Sequence, residues 1–200
     1  MKRTSILAKS LMGAAVVAMS LGTVSCKDNN KTEDPKEVAE DQNEDKFDDT
    51  NEAKEDDSQY LVDAAEVDMK EIELGKLAQA KSTNADVKAF AKMMIDEHTK
   101  ASEDLKAAAA KKNISLPMAL TEDGQDAVKD LNDEKPGMDF DKKYVDMMVD
   151  GHEKTIDKME KASEKAKEED VRMWAANMLP TLRKHLDHAK SLQEKLKAMK

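Results

Sequence analysis

The sequence predicts an all-α protein, an up-down bundle of four long helices with a short fifth helix in the crossover between the second and third. Three observations carry this. From position 59 onward the chain is dominated by alanine, leucine, methionine, lysine and glutamate, the composition of long helices. Apolar residues there recur at three- and four-residue spacing, with few glycines or β-branched runs to interrupt them, which is the period of an amphipathic helix. The stretch 59–200 is also long enough to enclose one sizeable core.

Taken in order, the first long helix is expected over 59–81. Thr83 to Asp86 has capping-box spacing, with Asp in place of Glu or Gln, and opens a second helix over 85–112. Asn113-Ile114-Ser115-Leu116-Pro117 closes it. The short helix comes next, over 121–131, and is stopped by Lys135-Pro136-Gly137. The third and fourth long helices are expected over 140–166 and 171–199, with Asp139 and Asp170 placed to cap them. Pro180 removes one backbone hydrogen bond from the fourth helix and is expected to kink it just before His185.

Upstream of the bundle the chain reads as two further segments. Met1-Lys2-Arg3, an apolar stretch from Ile6 to Leu21, and Thr23-Val24-Ser25 before Cys26 have the layout of a cleaved secretory signal, 1–25. Cys26 is the only cysteine, so no intramolecular disulfide forms, and it stands where a bacterial lipoprotein carries its acyl chains, palmitate among them. Thr23 departs from the leucine more usual at that place. Several acyl chains on one N-terminus exceed the two signals that stable anchoring needs. The expected location is the bacterial outer membrane, lipid-anchored, on its periplasmic face or at the cell surface.

Segment 26–58 is expected to be a disordered acidic tether. Between 27 and 58 there are 14 acidic and 5 basic residues, so nearly all of the formal charge of −10 resides there, and Phe47 is its one aromatic residue. Such a segment buries too little to order itself. The acidic balance excludes a nucleic-acid role and favours extension from an anionic membrane surface. The residues after Cys26 resemble the acidic motif that exports lipoproteins to the surface of Bacteroidetes-type bacteria; a plain solvated spacer has the same composition.

At about 100° per residue, Val87, Phe90, Ala91, Met94, Ala101 and Leu105 share a face with His98. Phe140, Tyr144, Met148, Ile156 and Met159 share one with His152, and Val171, Trp174, Met178, Leu182, Leu192 and Leu196 with His185. Three histidines thus face one core, each near the middle of its helix. On the first helix Glu71 and Glu73 lie at the same height, and periodicity does not choose between them. A carboxylate and three imidazoles meeting in a bundle core are a ligand set for a divalent transition metal such as iron, zinc or manganese. A hydrogen-bonded polar layer is the other reading, because buried imidazole and carboxylate must be satisfied in any case. The 14 methionines admit copper(I) as well, although filling irregular core gaps accounts for them.

Glu71-Ile-Glu-Leu-Gly-Lys-Leu-Ala78, Val87-Lys-Ala-Phe-Ala91 through Met94-Ile-Asp-Glu-His98, Gly137 to Tyr144 running on to His152, and Leu179-Pro180 with His185 five residues on form an ordered set. Over about residues 60–196 the chain resembles domain-of-unknown-function family 4142. The resemblance implies a ferritin-like bundle, frequent in exported or outer-membrane proteins, and no settled activity. His98, His152, His185 and Glu71 or Glu73 match the family pattern, while Glu97 stands where Asp is usual. The standard di-iron form of such bundles needs Glu-x-x-His on two helices. Ile95, Val149 and Leu182 occupy the places three before the histidines, so its bridging carboxylates are absent. His188, spaced to pair with His185, falls at the edge of the buried arc and is expected at the surface.

No serine elbow or glycine-rich phosphate loop is present to support nucleophilic or nucleotide chemistry. The sequence therefore points to a lipid-anchored envelope protein whose bundle is a binding or stress-protective module with a mid-bundle Glu/His cluster. A metal-dependent oxidoreductase using the same residues and a purely structural envelope protein are the alternatives. The sequence names no protein partner and places no dimer surface.

Overall fold

The computed structural model describes residues 33–47 and 51–199; the segment 1–25 expected to be a secretory signal, and Cys26, lie outside the described residues. Among the described residues there are helices α1 (Pro35–Phe47), α2 (Glu52–Lys81), α3 (Ala85–Lys112), α4 (Glu122–Asp133), α5 (Met138–Lys165) and α6 (Glu169–Ala198), and no strand. The links 82–84 and 166–168 are short, and α2 packs along α3 as α5 packs along α6. These are two helical hairpins. They meet through α2 on α5 and α3 on α6, giving a helical bundle, while α4 fills the crossover against α2 and α5. No helix among the described residues is long and apolar enough to cross a membrane.

The ends of the helices explain why they stop where they do. Asn84, one residue after the expected Thr83, caps α3 by accepting from the Asp86 and Val87 amides. Asn113 ends that helix in the left-handed conformation, with φ of 59°. Thr121 caps α4 through the Gly124 amide. Asp139 and Asp170 prove to lie inside the first turns of α5 and α6, where their charge favours the helix dipole, and neither helix has a side-chain cap of its own. Asp57 of α2 takes over at α6 instead, accepting from the Lys167 and Glu168 amides at 2.9 and 2.7 Å. A cap supplied from across the bundle leaves no local sequence signature. α6 continues through Pro180; Pro180 and Ala176 are both exposed, so the carbonyl deprived of its partner lies on the solvent face.

The segment expected to be an unstructured tether carries α1, and α2 begins at Glu52 rather than at 59. Ala39, Asn43 and Phe47 lie one turn apart and are buried. Asn43 donates to the Ser115 carbonyl at 3.0 Å and accepts from the Ser115 amide at 2.7 Å. Asp34 accepts from the Glu122 amide at 2.8 Å, and Lys36 pairs with Asp63 and Glu66 at 2.5 and 3.3 Å. Order here comes from tertiary partners rather than from amphipathicity, so composition alone points the wrong way.

Glycine matters where α2 meets α3. A Cβ on Gly75 would stand 2.9 Å from Ile95 Cγ1 and 3.3 Å from the Ala91 carbonyl oxygen. A side chain at Gly75 would therefore force Ile95 and the facing α3 backbone to give way. Phe90, Phe140, Tyr144 and Leu74 fill the core toward one end of the bundle, and Leu61, Leu105 and Val171 toward the other. Between them lies a layer that is not apolar.

Candidate metal centre

That layer is made of His98 from α3, His152 from α5 and His185 from α6, which are 3%, 0% and 2% exposed, with Glu71 from α2 at 1%. One ring nitrogen from each histidine lies within 4.8 Å of the others. Glu71 Oε2 stands 2.8 Å from His98 Nε2, and Glu71 Oε1 stands 3.5 Å from His152 Nδ1. Glu73 takes no part. Its half-exposed carboxylate pairs with Lys76 at 2.7 Å on the outside of α2, so of the two candidate glutamates only Glu71 belongs to the cluster. His188 is exposed and rests its ring against Phe90, with centroids 4.9 Å apart.

Hydrogen bonds on the far sides of the rings fix which nitrogens turn inward. His98 Nδ1 meets Asp68 Oδ1 at 2.7 Å, His152 Nδ1 meets the Met148 carbonyl at 2.9 Å, and His185 Nε2 meets Glu97 Oε2 at 2.7 Å. Each of these partners accepts, so each outer nitrogen carries the proton. His98 Nε2, His152 Nε2 and His185 Nδ1 are left to face one another. His152 Nε2 and His185 Nδ1 are 3.3 Å apart, and in the neutral rings both would present lone pairs. Only a proton or a cation between them makes that contact favourable. Outer partners of this kind, a carboxylate or a carbonyl on the remote nitrogen, are those that orient metal-binding imidazoles.

The electrostatics repeat the same pattern. Burial alone would raise the Glu71 carboxyl, but His98, His152 and His185 outweigh it and hold it at about 2. Burial opposes a charge on His98, yet Glu71 and Asp68 raise it to about 10. Burial lowers His185 and the other two rings add to this, against the pull of Glu97. Burial raises Asp68 in spite of its bond to His98. Glu71 is thus the ionised partner at neutral pH. Although Glu71 Oε2 and His98 Nε2 are 2.8 Å apart, neither atom has an aligned hydrogen bond, and the buried Tyr144 hydroxyl also lacks a partner. Burial and the Glu71 charge push the Tyr144 phenol above its usual range.

Backbone approach sets the position of Glu71. A Cβ on Gly151 would come within 3.1 Å of Glu71 Oε1. Gly151→Ala should therefore displace the carboxylate while favouring the helix, and any metal affinity should fall by roughly 10- to 100-fold, as for other residues that orient a site from outside. Titration with a chelator-buffered metal measures it.

Asp68 escapes the sequence reading of the site, and Glu97 is marked there only through the family pattern, without a role. Asp68 continues the three-and-four ladder Leu61, Ala65, Asp68, Glu71, Leu74, Ala78, all buried, and that unbroken ladder is the signal that could find it. Glu97 is 35% exposed at its side chain and also approaches Lys184 at 3.7 Å; nothing in periodicity marks it. The methionines serve mainly as filling: Met94, Met148 and Met159 are buried core residues, and Met173 is exposed.

An all-helical bundle with a buried histidine cluster drawn from three helices is the class of protein this chain defines. A family model described as a domain of unknown function, DUF4142, matches residues 42–192, and the chain belongs to that family. No curated protein and no solved structure matches it.

Proposed function

We propose that the protein binds one divalent transition-metal ion inside a ferritin-like bundle, as a metal-binding or stress-protective module of the bacterial cell envelope. The observation that carries this is the meeting of His98, His152 and His185, one ring nitrogen of each within 4.8 Å of the others, with His98 Nδ1, His152 Nδ1 and His185 Nε2 tied to other partners. His152 Nε2 and His185 Nδ1, 3.3 Å apart, match the edge of a tetrahedron with metal–nitrogen bonds of about 2.0–2.1 Å, and a ring nitrogen of His98 lies within 4.8 Å of them. Glu71 Oε2 and His98 Nε2 face each other at 2.8 Å as an ion pair without an aligned hydrogen bond, a contact that a bound cation would replace. The three histidines would hold the ion and Glu71 would balance its charge. A bound ion there would act as a Lewis acid, or as a redox centre if it is iron, copper or manganese.

The envelope setting rests on Cys26 and the signal before it: lipidation would tether the bundle to the outer membrane. Metal analysis of the purified soluble fragment 27–200, loaded in turn with iron, zinc, manganese and copper, tests the site. One ion per chain is expected, lost in His98→Ala and in His185→Ala. No bound metal under any loading would leave a charged polar layer and a structural protein.

A further inference from the structure

The cluster is packed differently on its two sides. Toward the Tyr144 end, Leu74, Met94, Met148 and Ala189, each three or four residues from a member of the cluster, are 2% exposed or less and close the core. On the opposite side a cavity of about 30 Å³ remains. Asp68, Ala101, Thr155 and Leu182 line it, and each lies three residues from Glu71, His98, His152 and His185 respectively. One helical turn is about 5.4 Å, so on each of the four helices a wall residue stands about one turn from the layer, and His98 is the member of the cluster that reaches the wall.

Two further properties say what would fit. At about 30 Å³ the space holds water but lies far below the roughly 300–1,000 Å³ of ordinary small-molecule pockets, so only a small ligand fits. Most of the remaining wall is apolar, from Leu105, Trp174 and Met178 among others, which penalises a charged occupant. Ala101, Trp174 and Met178 are only half-buried, so the outer part of the wall reaches toward the surface.

We infer that this cavity admits a small uncharged ligand, such as a diatomic gas or water, to an open coordination position of the ion held by His98, His152 and His185. The inference rests on the metal-site reading above. Three protein ligands with a fourth position left free is the arrangement of exchangeable rather than closed sites. The competing arrangement is a saturated site in which Glu71 Oε2, already beside His98, takes that fourth position.

Nitric oxide is the probe. The protein is loaded anaerobically with ferrous ion, its iron content measured, and nitric oxide added; ferrous ion alone gives no ordinary EPR signal, whereas the nitrosyl adduct does. One iron per chain and a stoichiometric adduct are expected. Ala101→Leu and Ala64→Leu, which fill the cavity from α3 and from α2, should retain the iron and weaken nitric oxide binding at least tenfold; two variants guard against misfolding of either. Full iron occupancy without an adduct, or an adduct of unchanged affinity in both folded variants, overturns the open-site inference and leaves the metal reading standing. A wild-type protein that takes up no iron overturns the open-site inference, and one that takes up no zinc, manganese or copper either overturns the metal reading as well; metal analysis tells the two failures apart.

Discussion

Glu71→Ala should cost the metal-free protein about 3–5 kcal/mol of stability, the range found when one partner of a buried ion pair is removed. Glu71 is 1% exposed and lies 2.8 Å from an imidazole that it helps to hold charged. Without it, His98 keeps only Asp68, a carboxyl that burial itself pushes toward the neutral form. The ring must then give up its proton or remain charged and poorly compensated in a site lined by His152 and His185. The same truncation opens a cavity beside Gly151. Glu73→Ala, two residues away, removes only an exposed pair with Lys76 and should change stability by no more than about 0.5 kcal/mol. Urea unfolding in the presence of a chelator measures both. Equal effects for the two glutamates would mean that the inward contact of Glu71 contributes nothing special.

How much of the fold and of the site is legible without coordinates depends on where each signal resides. The inward turn of His98, His152 and His185 is readable because each stands in its own apolar ladder, and all three are buried at one level. Glu71 and Glu73 are not separable, because α2 is flanked by α3, α4 and α5 and its apolar arc is wide enough to include either. Long helices α3, α5 and α6 can be placed within two residues at most ends, since their apolar periods are unbroken. α1 is not readable at all. Its order depends on Ser115, Glu122, Asp63 and Glu66, all distant in sequence, and a segment with so few apolar residues gives no local sign that they share a face. The Asp57 cap on α6 escapes for the same reason.

Stability of the metal-free protein should fall as pH rises from about 6.5 toward 10. In the folded state His98 is raised to about 10, whereas an unfolded histidine titrates near 6.5. A group raised by folding contributes its full stabilisation below the unfolded value and loses it as pH climbs through the folded one, here with a slope of at most about 1.4 kcal/mol per pH unit. Glu71 has the opposite sign. Held at about 2 against a usual 4.5, it contributes fully above about 4.5 and loses its contribution as pH falls through about 2. Between the two windows, from about pH 4.5 to 6.5, neither group titrates and the metal-free bundle should be near its most stable, the lowered His185 favouring the upper end and the raised Asp68 the lower. The raised lysines Lys36 and Lys112 lose their contribution only above the usual lysine range, so the decline from 6.5 to 10 belongs chiefly to His98. Metal reverses the trend. Coordination through His98 Nε2 must displace a proton, so affinity should strengthen by up to tenfold per pH unit across that window. Melting curves at several pH values, with chelator and with metal, should diverge as pH rises. His98→Gln should flatten the metal-free curve and abolish the divergence. A wild-type melting temperature that stays level from pH 6.5 to 9.5 without metal would mean that His98 is neutral in the fold, with its Nε2 lone pair turned toward Glu71.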